Sequence, residues 1–142
     1  FDDAEATAAA FVDGWFRTGD LGRCDEDGYL YLVGRIKELI NRGGLKVAPA
    51  EVDAMFIRHP AVQDAATVGM THPSLGEDVV TAVIRRPGPA ITAQELREYL
   101  APRFAKFWLP DGFAFVEQIP RTSTGKMMKA ALRQQFHDWR WA

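Results

Sequence analysis

Apolar residues fall in short alternating runs through the first third of the chain and at helical spacing in three later stretches. Ala4 to Phe11 is Ala-rich and predicts a helix, closed by Gly14 ahead of Trp15-Phe16. Leu21 to Cys24 and Tyr29 to Val33 flank Asp25-Glu-Asp-Gly28, and Asp-Gly tolerates the positive φ of a tight turn, so a β-hairpin is expected. Two further strands, Glu38 to Ile40 and Leu45 to Val47, bracket Asn41-Arg-Gly-Gly44 as a second hairpin. Pro49 suits a first helical position with Glu51 stabilising the first turn, and Val52, Met55 and Phe56 share a face of a helix that stops before His59-Pro60.

Val62 to Met70 and Val79 to Arg86 are rich in Val, Ala and Thr and predict two strands turning through Pro73 and Gly76. Thr92-Ala-Gln-Glu95 is a capping box that opens a helix to about residue 101, with Leu96, Tyr99 and Leu100 on one face. Phe113 to Val116 supplies a third strand, and Lys126 to about Phe136 a last helix presenting Met128, Ala131, Leu132 and Phe136. The order strand, strand, helix, strand, helix predicts an α+β domain with a central three-stranded sheet flanked by helices, preceded by β-hairpins and a hinge.

With 142 residues, 47% hydrophobic and 25% charged, the chain is long enough to bury one core but small for an enzyme joining two substrates. A net charge of -2 with scattered Lys and Arg argues against a nucleic-acid partner. Lone Cys24 forms no internal disulfide, and His59, His72 and His137 show no metal-ligand spacing, so a reducing, cytoplasmic setting without structural metal is the default. No apolar run approaches the roughly 18 residues of a membrane span, and no signal pattern opens the chain.

Polar motifs break the globular pattern. They lie in three regions: Phe16-Arg-Thr-Gly-Asp20; Gly34-Arg35-Ile-Lys37 followed closely by Gly43-Gly44-Leu-Lys46; and Pro120-Arg-Thr-Ser-Thr-Gly-Lys126. A cation on a Gly-hinged loop, a carboxylate beside a glycine and an Arg-Lys pair at a turn are suited to a nucleotide's phosphates and ribose. The last motif is not a phosphate-binding P-loop, because Pro120 stands where that loop needs its first Gly and Met127 where it needs Ser or Thr. Read alone, Lys126 is a solvated lysine opening a helix, Asp20 a turn-capping aspartate after Gly19, and Arg35 a salt-bridge partner for Glu38 or Asp27.

In order and spacing the motifs resemble the last motifs of the AMP-forming acyl-CoA synthetases, the adenylate-forming ligases that include luciferases and the adenylation domains of peptide synthetases. The resemblance runs from about Phe11 to Phe136. It implies that Lys126 is the catalytic lysine of the C-terminal domain, stabilising the charge that builds up when a carboxylate attacks the α-phosphate of ATP. It implies further that Asp20 accepts hydrogen bonds from both ribose hydroxyls, that Arg35 sits near ribose and phosphates, and that Lys37 is the hinge. Gly43 and Gly44 would form the tip that enters the pantetheine channel, with Lys46 a nearby polar position; a plain hairpin turn explains Gly-Gly as well.

The large N-terminal domain of that family carries a Ser/Thr/Gly-rich phosphate loop and the acyl pocket, and nothing here matches either. Residues 1–36 are therefore expected to be the tail of the large domain, and residues 37–142 the small C-terminal domain. The implied activity is ligation of a carboxylic acid to CoA through an acyl-adenylate, using ATP, Mg2+ and CoA bound mostly by the N-terminal adenylation domain, with this chain inactive alone. Where many members read Tyr-Lys-x-Pro this chain has Phe107-Trp108-Leu109-Pro110, a variant similar to medium- and long-chain fatty-acid ligases, which points to a fatty acid. A CoA-independent adenylate-forming enzyme and a non-catalytic docking module are the alternatives.

Overall fold

A computed structural model describes residues 3–141. Helix α1 (Ala4–Ala10) is capped by the Asp3 carboxylate, which accepts from the Ala6 N–H at 2.8 Å. It runs directly into β1 (Phe11–Val12), which turns onto β2 (Trp15–Phe16). The sequence reading has Gly14 merely ending the helix; instead Asp13 and Gly14, at φ 51° and 81°, make the two-residue left-handed turn that a short hairpin requires. Strands β3 (Asp20–Cys24) and β4 (Leu30–Arg35) form the expected hairpin, separate from the main sheet.

A single 3₁₀ turn, Ile36–Glu38, then leads into the main sheet. Glu38 was expected to open a strand, but the Leu39 N–H reaches back to the Ile36 carbonyl and delays the strand to Ile40. Strand β5 (Ile40–Arg42) pairs with β6 (Leu45–Val47), and α2 (Pro49–Ile57) follows with Pro at its start as expected. The long hairpin of β7 (Val62–His72) and β8 (Gly76–Arg85) is the spine. One edge of β8 carries β7; the other takes β5 at Gly76 and, in parallel, β9 (Gly112–Phe115) at Val80 to Val83. The predicted three central strands are thus present, and the glycine hairpin extends them to a five-stranded sheet.

The strands of the spine are buried on both faces, which explains their continuous apolar composition. On one face Ile40, Val52, Phe56, Val79, Leu96 and Leu100 pack beneath α2 and α3 (Ala93–Leu100). On the other, Val68, Val80, Ile119 and Leu132 pack beneath α4 (Lys129–Gln135). The capping box forms as read: Thr92 and Glu95 exchange side-chain-to-backbone hydrogen bonds, and these hold the Glu95 carboxyl below its usual range.

The last helix differs from the sequence reading. It begins at Lys129 rather than Lys126, because Gly125 at φ 84° breaks the helical path, Met127 bridges to Arg121, and the Met128 N–H bonds to the Pro120 carbonyl. Lys126 therefore lies on a turn, not in a helix.

Candidate active-site elements

The Lys126 turn is built by local hydrogen bonds. Thr122 and Lys126 close it, with Thr122 N–H donating to the Lys126 carbonyl at 2.8 Å and Lys126 N–H donating to Thr122 Oγ1 at 3.1 Å. Its base is fixed by Arg121, whose guanidinium donates to the Gly125 carbonyl at 2.7 Å and pairs with Asp64 on β7 at 2.5 Å. Lys126 itself is exposed, and among the described residues its ammonium has no ion-pair or hydrogen-bond partner. The fold thus presents a compact positive charge on a braced loop.

Asp20 and Arg35 are brought together. They face each other across β3 and β4, and Arg35 Nε lies 3.0 Å from Asp20 Oδ1. Neither Glu38 nor Asp27 partners Arg35 among the described residues. Because Arg35 is 62% exposed, the pair adds little stability, so both groups are free to exchange each other for a ligand's oxygens at small cost. Lys37 follows on the exposed side of the 3₁₀ turn, the link between the hairpin and the main sheet. No hydrogen bond or ion pair joins Lys126 to Asp20 or Arg35 among the described residues.

Gly43 and Gly44 form the β5–β6 tip, at φ 57° and 90°, a conformation that a side chain would strain. Both are exposed, as is neighbouring Lys46, and a Cβ on Gly44 would meet nothing within 4 Å. Bareness at Gly44 therefore serves no packing need inside this chain. The tip is held to the β7–β8 turn by the Gly43 N–H, which donates to the Leu75 carbonyl at 2.8 Å.

The two elements lie at opposite ends of the spine. Lys126's loop is anchored at Asp64, near the start of β7, whereas the glycine tip is anchored beyond His72, at its end. About eight residues of strand separate these anchors, roughly 27 Å.

Sequence reasoning missed the polar ties that hold these elements, because each joins residues far apart in the chain. Lys129, 10% exposed, donates to Asp53 Oδ2 at 2.8 Å, while Asp53 Oδ1 accepts from the Thr67 N–H at 2.6 Å. This pins the start of α4, just after Lys126, to α2 and β7. Burial pushes the Asp53 carboxyl above the usual range, and Lys129 partly opposes that rise. Lys129→Met leaves the carboxylate buried and unpaired, a loss of about 3 kcal/mol or more in urea unfolding near neutral pH. Because the folded-state pKa then lies above the unfolded one, the penalty shrinks as pH falls and Asp53 takes up a proton. The double variant Asp53→Asn/Lys129→Met, which removes the charge and keeps an acceptor for the buried Thr67 N–H, recovers much of the loss; a pH-independent deficit would refute this account.

No cluster of three or more His, Cys, Asp or Glu suited to a metal occurs among the described residues. No helix among them is long and apolar enough to cross a membrane.

Residues 51–126 match the AMP-binding enzyme C-terminal domain family. An oxalate–CoA ligase of Arabidopsis thaliana is 42% identical over 135 residues, which are 95% of this chain and 26% of the relative. A long-chain-fatty-acid–CoA ligase of Mycobacterium tuberculosis is 41% identical over 132 residues, 93% of this chain and 26% of the relative. The chain thus spans about a quarter of the length of the curated relatives it matches. ATP-bound MatB from Rhodopseudomonas palustris superposes with a TM-score of 0.88 at 37% identity, over 94% of this chain and 27% of that one. The apo structure of the same protein gives 0.77 over the same 94% of this chain, and 27% of that one, at 38% identity. With its braced Lys126 turn, its glycine-tipped hairpin and more than half of its length within the matched span, the chain belongs to the AMP-binding enzyme C-terminal domain family.

Proposed function

We propose that this chain is the mobile part of an ATP-dependent carboxylic acid–CoA ligase, which forms an acyl-adenylate and then an acyl-CoA. The observation that carries the reading is the placement of the exposed lysine turn and the bare glycine tip at opposite ends of one packed sheet. One reaction centre cannot receive both at once across roughly 27 Å, so two reactions would be served by two orientations of the same body. Lys126 serves the first, stabilising charge on the α-phosphate; the Gly43-Gly44 tip, with Lys46 beside it, serves the second, lining the path of the pantetheine thiol. Lys37 is the hinge, and Asp20 and Arg35 hold ribose and phosphate oxygens. The ATP-bound and apo structures of one relative superpose unequally on this chain, as a change of orientation within the matched span would produce.

Residues 1–36 are assigned to a large adenylation domain and residues 37–142 to the small domain. Trp15 is 80% exposed, Leu32 70% and Leu30 64%, a density of bare apolar side chains that suits a surface continued by another domain. ATP, CoA and the Mg2+ accompanying ATP would be bound chiefly by that domain. We assign the acid to the fatty or related apolar class, on the Phe107-Trp108-Leu109-Pro110 segment and on the presence of fatty-acid ligases among the relatives.

The chain alone supplies one face of the site and no acyl pocket, so pyrophosphate exchange with ATP and fatty acids stays at background when it is assayed by itself. Robust acid-dependent exchange by these 142 residues would overturn the division of labour. Release of acyl-CoA by the intact protein decides between this reading and an adenylate-forming enzyme that never uses CoA.

A further inference from the structure

Arg42 immediately precedes the glycine tip, and its surroundings are unlike those of any other cation in the chain. Its side chain is 12% exposed. Arginine has five N–H donors, and here each one has a partner. Nε lies 2.7 Å from Asp78 Oδ1; Nη1 donates to the carbonyls of Phe107 at 3.1 Å and Leu109 at 3.0 Å; Nη2 reaches Asp78 Oδ2 at 3.4 Å and pairs with Asp111. Asp78 is itself buried and also accepts from the Val79 N–H at 2.7 Å, and the second oxygen of Asp111 pairs with Arg97 on α3. One guanidinium thereby joins the base of the β5–β6 hairpin to β8, to the 107–109 segment and, through Asp111, to α3.

This clamp completes a short connection. Hairpin β5–β6 meets the sheet at the single register pair Arg42–Gly76, and its two glycines leave the tip without side-chain packing of its own. Buried Ile40 and Val47 anchor the hairpin's far end and the Gly43 N–H ties its tip to the Leu75 carbonyl, which leaves the angle between the two to Arg42. A planar fork with both carboxylates and two carbonyls fixes that angle, whereas a lysine has three donors and no fork.

We propose that Arg42 is a positioning residue for the thioester-forming step, holding the Gly43-Gly44 tip and the Phe107-to-Leu109 segment as one rigid unit at the angle needed to line the thiol's path. The inference rests on the role given above to the glycine tip. It separates the two half-reactions, since among the described residues no hydrogen bond or ion pair joins Arg42 or its partners to the Lys126 turn.

The test uses the intact ligase and measures both half-reactions, pyrophosphate exchange and CoA-dependent release of acyl-CoA, with the thermal midpoint. Arg42→Lys keeps a charge facing Asp78 but gives up donors to partly buried partners, so it stays folded and melts somewhat below the wild type. Its exchange rate stays near wild type, while acyl-CoA release falls about 10-fold or more, the scale for a small misplacement of a positioning element, with a raised KM for CoA. Should that variant fold poorly, Arg42→Met/Asp78→Leu removes the buried pair without leaving a lone charge and is expected to show the same split. Equal losses in both half-reactions, or unchanged acyl-CoA release, overturn the proposal. Gly44→Leu separates the role of Arg42 from that of the tip. If it blocks release while the Arg42 variants do not, Arg42 alone has been misassigned; if it leaves release intact, the role of the tip itself is wrong.

Discussion

Lys126→Ala in the intact ligase slows acyl-adenylate formation by about 10²-fold or more, while thioester formation from supplied acyl-adenylate proceeds at close to the wild-type rate. The physical basis is that a carboxylate and a triphosphate, both anionic, meet at one phosphorus atom. A fixed ammonium there stabilises charge that develops only in the transition state. The structure makes the lysine suitable: its turn is braced by Arg121, Asp64 and Thr122, and its ammonium is not neutralised within the described chain. Folding does not depend on an exposed lysine of this kind, so the variant's thermal midpoint stays near the wild type. Pyrophosphate exchange and single-turnover thiolysis, measured separately, check the prediction. Equal losses in both would assign Lys126 a structural role, and wild-type exchange would remove it from the mechanism.

Lys37→Pro abolishes CoA-dependent release while adenylation survives. Lys37 sits within the 3₁₀ turn that is the only covalent link between the β3–β4 hairpin and the main sheet. Proline fixes φ near -65° and so restricts the rotation that would exchange the lysine turn for the glycine tip. An exposed side chain with no partner among the described residues gives the substitution no packing cost of its own. The readout is the same pair of half-reactions, supplemented by the distance between the two domains in the presence of an adenosine-linked mimic of the thiol-attack intermediate. In Lys37→Pro that distance does not change. In Gly44→Leu the mimic binds poorly, yet rotation remains available, since a branched side chain would obstruct the thiol path proposed at the tip and not the proposed hinge. Wild-type acyl-CoA release by Lys37→Pro would mean that one orientation serves both steps.

Local sequence determined most of the elements. Capping at Thr92 and Glu95, Pro49 at a helix start and Asp25-Glu-Asp-Gly28 between alternating runs act within four or five residues, so their physics is complete in a short window. Among the motif residues, Asp20, Arg35, Gly43, Gly44 and Lys126 stand out by residue type and nearby glycine, whereas Lys37 is singled out by the family resemblance alone; the roles proposed for them do not follow from the local sequence. What tertiary structure alone decided is where those residues stand and what holds them. Helix α4 yields three residues at its start because Met127 and Met128 are drawn to Arg121 and Pro120, and the glycine hairpin joins the sheet through Arg42 and Gly76. Arg42 finds Asp78, Phe107, Leu109 and Asp111, and Lys129 finds Asp53, across separations of 36 to 76 residues that carry no local signal. A buried cation must be paired wherever its partner lies in the chain, and only the packed sheet brings those partners within reach.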